Sequence, residues 1–227
     1  MSGSGEGPDN PAMMMVSRMH ARHGVLLDAY RHVIADSSVL HLGAEDGRWC
    51  YAFASAGALQ VVGVEKSAEQ VSKFTRYPDI GLRERIDLRC ADPMEELSAE
   101  VRAERRYDVV AMFDLLEDVA DLFLLFSHIR ALGPRLVILD GVFLISQDPV
   151  LRIVSQPVPS GEGGGGPLRP RAVPSPRALE VIAEALDFEL EWIDWTQVPE
   201  DGRIGLADYF ATHGEKRASC TLVPRDL

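Results

Sequence analysis

Along most of the chain, short apolar runs alternate with stretches of helical period, the pattern of an α/β protein built on a parallel sheet. Val39–Leu42, Leu59–Val64, Tyr107–Phe113 and Pro134–Gly141 each read as a strand buried on both faces, and Ile86–Cys90 as a shorter one. The stretches between them are predicted helices. Trp49–Ala56 is stopped by Gly57, Ser67 offers an N-cap to a helix running through Phe74, and Met94–Arg105 forms another. Val119–Leu132, ended by Gly133, is strongly apolar, as expected of a helix lying on a sheet.

Ahead of the sheet, Met15, Met19, Leu26, Tyr30, Val33 and Ile34 fall mainly on one face of a predicted helix over residues 12–35, with Gly24 as its weak point. This helix is expected to cover the ligand side of the sheet. Residues 1–11 are rich in Gly, Ser and Pro and read as a disordered tail, leaving 12–227 as a single domain. After the fifth strand the rhythm fails. Residues 141–174 show no clear period and carry a GEGGGG tract that neither follows a strand nor opens a helix, so it reads as linker and not as a phosphate cradle. A segment of that length inside a compact domain is expected to be a flexible loop over the active site. Ser175 and Pro176 then open a helix to about Ala185, and FELEWIDWTQV and RASCTLVPR read as two further strands.

The stretch from Ser37 to Ser67 carries the chemistry. It is a strand, a turn with Gly43 and Gly47, a helix, a second strand and then Glu65. Glycines at the first turn and an acid closing the second strand are how open α/β sheets hold an adenosine, the acid accepting from the ribose hydroxyls. A dinucleotide fingerprint would need G-x-G-x-x-G around a pyrophosphate. Here Ala44, Glu45 and Asp46 separate the glycines, and two carboxylates would repel a pyrophosphate while suiting a ligand that carries sulfonium and ammonium charges.

That turn resembles the first motif of class I S-adenosylmethionine-dependent methyltransferases, with His41 where the family usually has an acid and Glu45 in place of the middle glycine. The resemblance continues downstream. Asp92 stands where the family's acid meets the adenine amino group. Phe113-Asp114-Leu115-Leu116-Glu117-Asp118-Val119 looks like the family's D-V-L-E-H-V box with Asp118 in place of His, and PRLVILDG matches the fifth strand. It implies a doubly wound, mostly parallel sheet of seven strands with the last antiparallel, and S-adenosylmethionine as cofactor. His41, Gly43, Ala44, Glu45, Gly47, Glu65, Lys66, Asp92, Pro93 and Phe113 are the positions it assigns to the cofactor. Glu45 would supply from the turn the charge that His41 lacks, with His41 as a hydrogen-bonding neighbour.

Charge and composition narrow the function. Thirty-five acids against 23 Lys and Arg give a formal charge of −12, which weighs against a nucleic-acid substrate. No run approaches the length needed to cross a bilayer, and no secretory signal is visible. Cys50, Cys90 and Cys220 lie far apart, as reduced thiols of a cytoplasmic protein do, and no cluster has metal-ligand spacing. Because a methyl on sulfonium is already activated, the protein must chiefly align an acceptor. Asp114, at the end of the fourth strand, is expected to orient it or act as base, with His20 and His23 of the covering helix as further bases. The resemblance therefore points to O- or N-methylation of a small molecule, as in secondary metabolism or sugar modification. The alternatives are a tRNA-modifying enzyme and a non-catalytic cofactor-binding protein, with a homodimer as one oligomeric state.

Overall fold

The computed structural model describes residues 10–157 and 168–225. In chain order its first half comprises α1 (Pro11–Leu26), α2 (Arg31–Ile34), β1 (Ser38–Leu42), α3 (Arg48–Ser55), β2 (Gln60–Glu65), α4 (Ala68–Ser72), α5 (Ile80–Arg83), β3 (Ile86–Cys90) and α6 (Pro93–Arg102). The second half comprises β4 (Val109–Phe113), α7 (Leu122–Leu132), β5 (Leu136–Leu144), β6 (Leu151–Pro157), β7 (Leu168–Pro174), α8 (Pro176–Ala185), β8 (Phe188–Trp192) and β9 (Glu215–Pro224).

Seven strands form one sheet in the order β3-β2-β1-β4-β5-β9-β8. β1 pairs in parallel with both β2 and β4, and β9 runs antiparallel to its neighbours β5 and β8. Both faces are covered. Leu97 of α6, Leu125 and Phe126 of α7 and Leu179 of α8 pack with Leu40 and Leu42 on one side. Leu26 of α1, Ile34 of α2 and Phe53 of α3 pack with Val39 on the other. The expected seven-stranded doubly wound sheet is therefore present, with its order reversing between β1 and β4. A crevice at the carboxyl ends of the strands follows from that reversal.

Several boundaries differ from expectation for local reasons. Asn10 caps α1, its Oδ1 accepting from the Ala12 amide at 3.0 Å, so Pro11 is helical; residues 1–9 of the expected tail lie outside the described residues. The break after α1 comes at Leu27, and Gly24 sits inside the helix, where a Cβ would meet nothing within 4 Å. α7 starts at Leu122, because Asp121 caps it through the Leu124 amide at 2.9 Å.

The largest departure is the segment 141–174. It is no featureless loop: β5 continues to Leu144, and β6 and β7 form an antiparallel hairpin. The GEGGGG tract falls among residues 158–167, outside the described residues. The hairpin is held to the turn after β4 and to the start of β9 by ion pairs. Arg169 reaches Asp118 at 2.8 Å and Arg171 reaches Glu215 at 3.0 Å, while Arg171 also pairs with Glu117 and Arg152 with Glu215. Pro157, Pro170 and Pro174 hid these strands from a period count. In a two-stranded ribbon every strand has an open edge, where a missing N–H is tolerated.

Candidate active site

The turn after β1 is fixed to β2 by its own backbone. The amides of Gly43 and Ala44 both donate to the Val64 carbonyl, at 3.0 and 2.9 Å. Gly43 has φ +76°, and a Cβ there would lie 3.3 Å from the Phe113 carbonyl oxygen. Glu45 follows with φ +48°, a left-handed conformation uncommon for a side chain of this kind. Its amide donates to Glu65 Oε2 at 3.0 Å, while the Ser67 amide donates to Oε1 at 2.8 Å. The Glu65 carboxylate is thus oriented by one backbone donor on each oxygen and keeps lone pairs for a ligand.

A cleft of about 290 Å³ opens at this point, near the lower end of small-ligand sites. Gly43, Glu45, Glu65 and Lys66 line it from the β1 and β2 ends, Asp92 and Pro93 from the β3 end, and Phe113, Asp114 and Asp118 from the β4 end. Asp92 caps α6, its Oδ1 accepting from the Met94 and Glu95 amides at 2.9 and 3.2 Å. Lys66 meets Asp118 at 2.9 Å, and Arg169 of the hairpin meets the same oxygen. Five carboxylates and one ammonium line the cleft, so it suits a ligand of net positive charge. The glycine turn, the oriented Glu65 and this charge balance all fit an adenosyl sulfonium.

Beside the cleft the ends of β4 and β5 carry a buried ionic network. Asp140 is 1% exposed; its Oδ1 accepts from Arg22 Nη2 at 2.9 Å and Arg217 Nε at 2.8 Å, and its Oδ2 from Tyr209 and Ser219, both at 2.6 Å. Burial pushes the Asp140 carboxyl up, against the pull of these donors. Burial and the neighbouring charges of Arg22 and Arg18 bring Arg217 down to about 9. Burial and the Asp140 charge raise the Tyr209 hydroxyl, which serves as a neutral donor. Asp114, at φ +59°, takes Arg22 at 3.2 Å on one oxygen and Arg217 on the other.

The predicted site residues do not all converge. Gly43, Glu45, Glu65, Lys66, Asp92, Pro93, Phe113 and Asp114 meet in the cleft. Ala44 is fully buried beneath the turn, and Gly47 serves packing, since a Cβ there would come within 2.6 Å of the Phe74 ring. His41, expected at the cofactor, is not among the residues that line the cleft. It points into the α1–α3 layer, fully buried, with its ring 5.1 Å from that of Phe113 and Nδ1 3.5 Å from Cys50 Sγ. Burial and the Arg22 charge push it down to about 3, so it is neutral near pH 7. His20 lines a different groove, against Trp192 and Val198, and His23 pairs with Asp28 at 3.1 Å.

Arg22, not either histidine, is how α1 reaches the site. It follows Met15 and Met19 and precedes Leu26 on the apolar stripe of that helix, the one signal in the sequence for a buried, partnered cation. Ser67, Gln70 and Met94 also line the cleft unforeseen.

The model of a methyltransferase-domain family matches residues 20–191, and the chain belongs to that family. Its fold is that of class I S-adenosylmethionine-dependent methyltransferases. Among solved structures, a Listeria monocytogenes protein assigned to these methyltransferases aligns over 93% of this chain and 100% of its own, at 14% identity and TM-score 0.67. The N-terminal domain of EvdMO1 with S-adenosylhomocysteine bound aligns over 97% and 82%, at 16% and 0.64. The glycopeptide N-methyltransferase MtfA complexed with S-adenosylmethionine aligns over 93% and 94%, at 14% and 0.54. No curated protein matches the chain. Among the described residues no helix is long and apolar enough to cross a membrane, and no group of His, Cys, Asp and Glu converges as a metal site.

Proposed function

We propose that this chain binds S-adenosylmethionine in the cleft at the ends of β1, β2 and β4 and directs its methyl group to a small-molecule acceptor beside Asp114. The observation that carries this reading is the Glu65 carboxylate, held by the Glu45 and Ser67 amides with lone pairs left for two ribose hydroxyls. Asp92 offers the oxygen not used in capping α6 to the adenine amino group. Glu45 offers its exposed carboxylate to the methionine ammonium, and the strained backbone it sits on is in keeping with a functional position. When bound, the cofactor supplies an activated methyl and a neutral leaving group. The chain's own contribution is positioning. Arg22 and Arg217 occupy both oxygens of Asp114, so that side chain acts as a fixed hydrogen-bond acceptor for the substrate and not as a free base.

The acidic cleft and the −12 charge favour a small acceptor over a phosphate backbone. Asp114→Asn is expected to lower turnover by roughly 10² while changing cofactor affinity little. Full activity in that variant would remove Asp114 from the mechanism. Methyl transfer to bulk tRNA at physiological salt would overturn the small-molecule assignment.

A further inference from the structure

We propose that two copies of this chain pair through antiparallel α1 helices, each lying in a groove of the other. The groove, of about 680 Å³, runs between α1 and residues 191–202 and shares no lining residue with the cofactor cleft. Ala21, Gly24 and Val25 form one wall, and Trp192, Ile193 and Val198 the other. At about 3.6 residues per turn, Met13, Ser17, His20 and Gly24 fall on the groove side of α1, with Val16 at its margin. Arg22 leaves the opposite side, where it meets Asp140 and Asp114.

This face carries a protrusion at one end and a hollow at the other. At its amino end Met13 and Val16 are 46% and 66% exposed. The turn that bears them is anchored to the body, because Arg18 reaches Asp208 at 2.6 Å and the Gly205 carbonyl at 2.7 Å. At its carboxyl end Gly24 leaves a gap, where a Cβ would meet nothing within 4 Å. A surface that holds both a knob and the hole for it is self-complementary, and one twofold axis satisfies both contacts at once. An axis passing between Ser17 and His20 sets Met13 of each copy over Gly24 of the other.

Charge favours the same antiparallel arrangement. α1 has no acid in its first turn, so nothing of its own offsets the partial positive charge at its amino end. The pairing brings that end to the part of the other copy's groove where Glu191 stands near Tyr30 and Asp28. Arg31 and His23 already hold Asp28, but among the described residues no Lys or Arg lines the groove. The formal charge of −12 on each chain opposes association at long range. At physiological ionic strength that repulsion is screened over about 8 Å, well within the roughly 24 Å length of α1. Because Arg22 springs from the same helix, the pairing also braces the element that reaches Asp140.

Sedimentation of the full chain at physiological salt, from low-micromolar to hundred-micromolar concentration, tests this. The wild type is expected to pass from monomer to dimer within that range. Gly24→Leu fills the hollow at a position open in the single chain, where leucine also favours the helix, so the fold should survive. Met13→Glu, at an exposed position, removes the knob and sets a carboxylate beside Asp28 and Glu191 of the other copy. Each variant, shown to be folded by circular dichroism, should weaken association by about tenfold or more. The double variant Met13→Ala/Gly24→Leu moves the bulk from knob to hole, and its dissociation constant should return to within about threefold of the wild type. A monomer throughout, leaving the groove to a small apolar ligand or to another protein, overturns the proposal. So does a dimer that neither single variant weakens, since it forms elsewhere, and so does a double variant no tighter than Gly24→Leu, since it removes the Met13–Gly24 register.

Discussion

Replacing Glu65 with alanine removes the side chain on which the adenosine is proposed to rest. In the wild type each oxygen already accepts one backbone amide, at 3.0 Å from Glu45 and 2.8 Å from Ser67, which fixes the plane of the carboxylate. Two ribose hydroxyls would add one hydrogen bond to each oxygen. Bonds to a charged acceptor contribute roughly 1.5–3 kcal/mol, and sharing one carboxylate among four donors places each at the low end. Glu65→Ala should therefore cost about 3 kcal/mol of cofactor binding, on the order of 10² in Kd. The two amides lose their partner at a wall that water can reach, so the loss in folding stability should be nearer 1 kcal/mol. Glu65→Gln keeps the shape but turns an NH₂ toward one of the two amides, and should fall between. Calorimetric titration with S-adenosylhomocysteine, on variants shown to be folded by circular dichroism, reads these values. A folded Glu65→Ala variant that binds within threefold of the wild type would refute the assignment.

Gly43→Val should abolish binding and lower stability by about 1–2 kcal/mol, because a β-branched residue is placed at φ +76° with its Cβ 3.3 Å from the Phe113 carbonyl; normal binding by calorimetry would contradict this. His41, at about 3 in the folded chain, stays neutral where the unfolded chain protonates below about 6.5. Stability should therefore fall as pH drops from 6.5 toward 3, by about 2 kcal/mol at pH 5. Denaturant melts at pH 7 and pH 5 should show a smaller fall for His41→Phe than for wild type, and equal falls would refute the burial argument. Arg22→Met leaves Asp140 buried with one guanidinium fewer and should destabilise by about 3–5 kcal/mol, with part of the loss regained on adding Asp140→Asn; strictly additive effects in the double variant would contradict the coupling.

The sheet was legible because its central strands are buried on both faces and so are nearly all apolar, and because Gly57, Gly133 and the Ser175-Pro176 pair mark helix ends. The convergence of Gly43, Glu65 and Asp92 on one cleft was legible because each stands at the end of a strand. His41 lies away from the cleft lining because strand alternation, not motif position, decides which layer a side chain enters: Leu40 and Leu42 face α6 and α7, so His41 must face α3. The β6–β7 hairpin was hidden by prolines that an isolated ribbon tolerates. Arg217 and Ser219 reach Asp140 across a pairing of strands far apart in sequence, and no local pattern announces such a contact.

A crystal structure with S-adenosylhomocysteine bound decides the matter. The ribose hydroxyls are expected within hydrogen-bond distance of Glu65, the adenine beside Asp92, and the sulfur directed toward Asp114. A ligand seated instead in the groove between α1 and the segment after β8, against His20 and Trp192, would contradict the cleft assignment and the roles drawn from it.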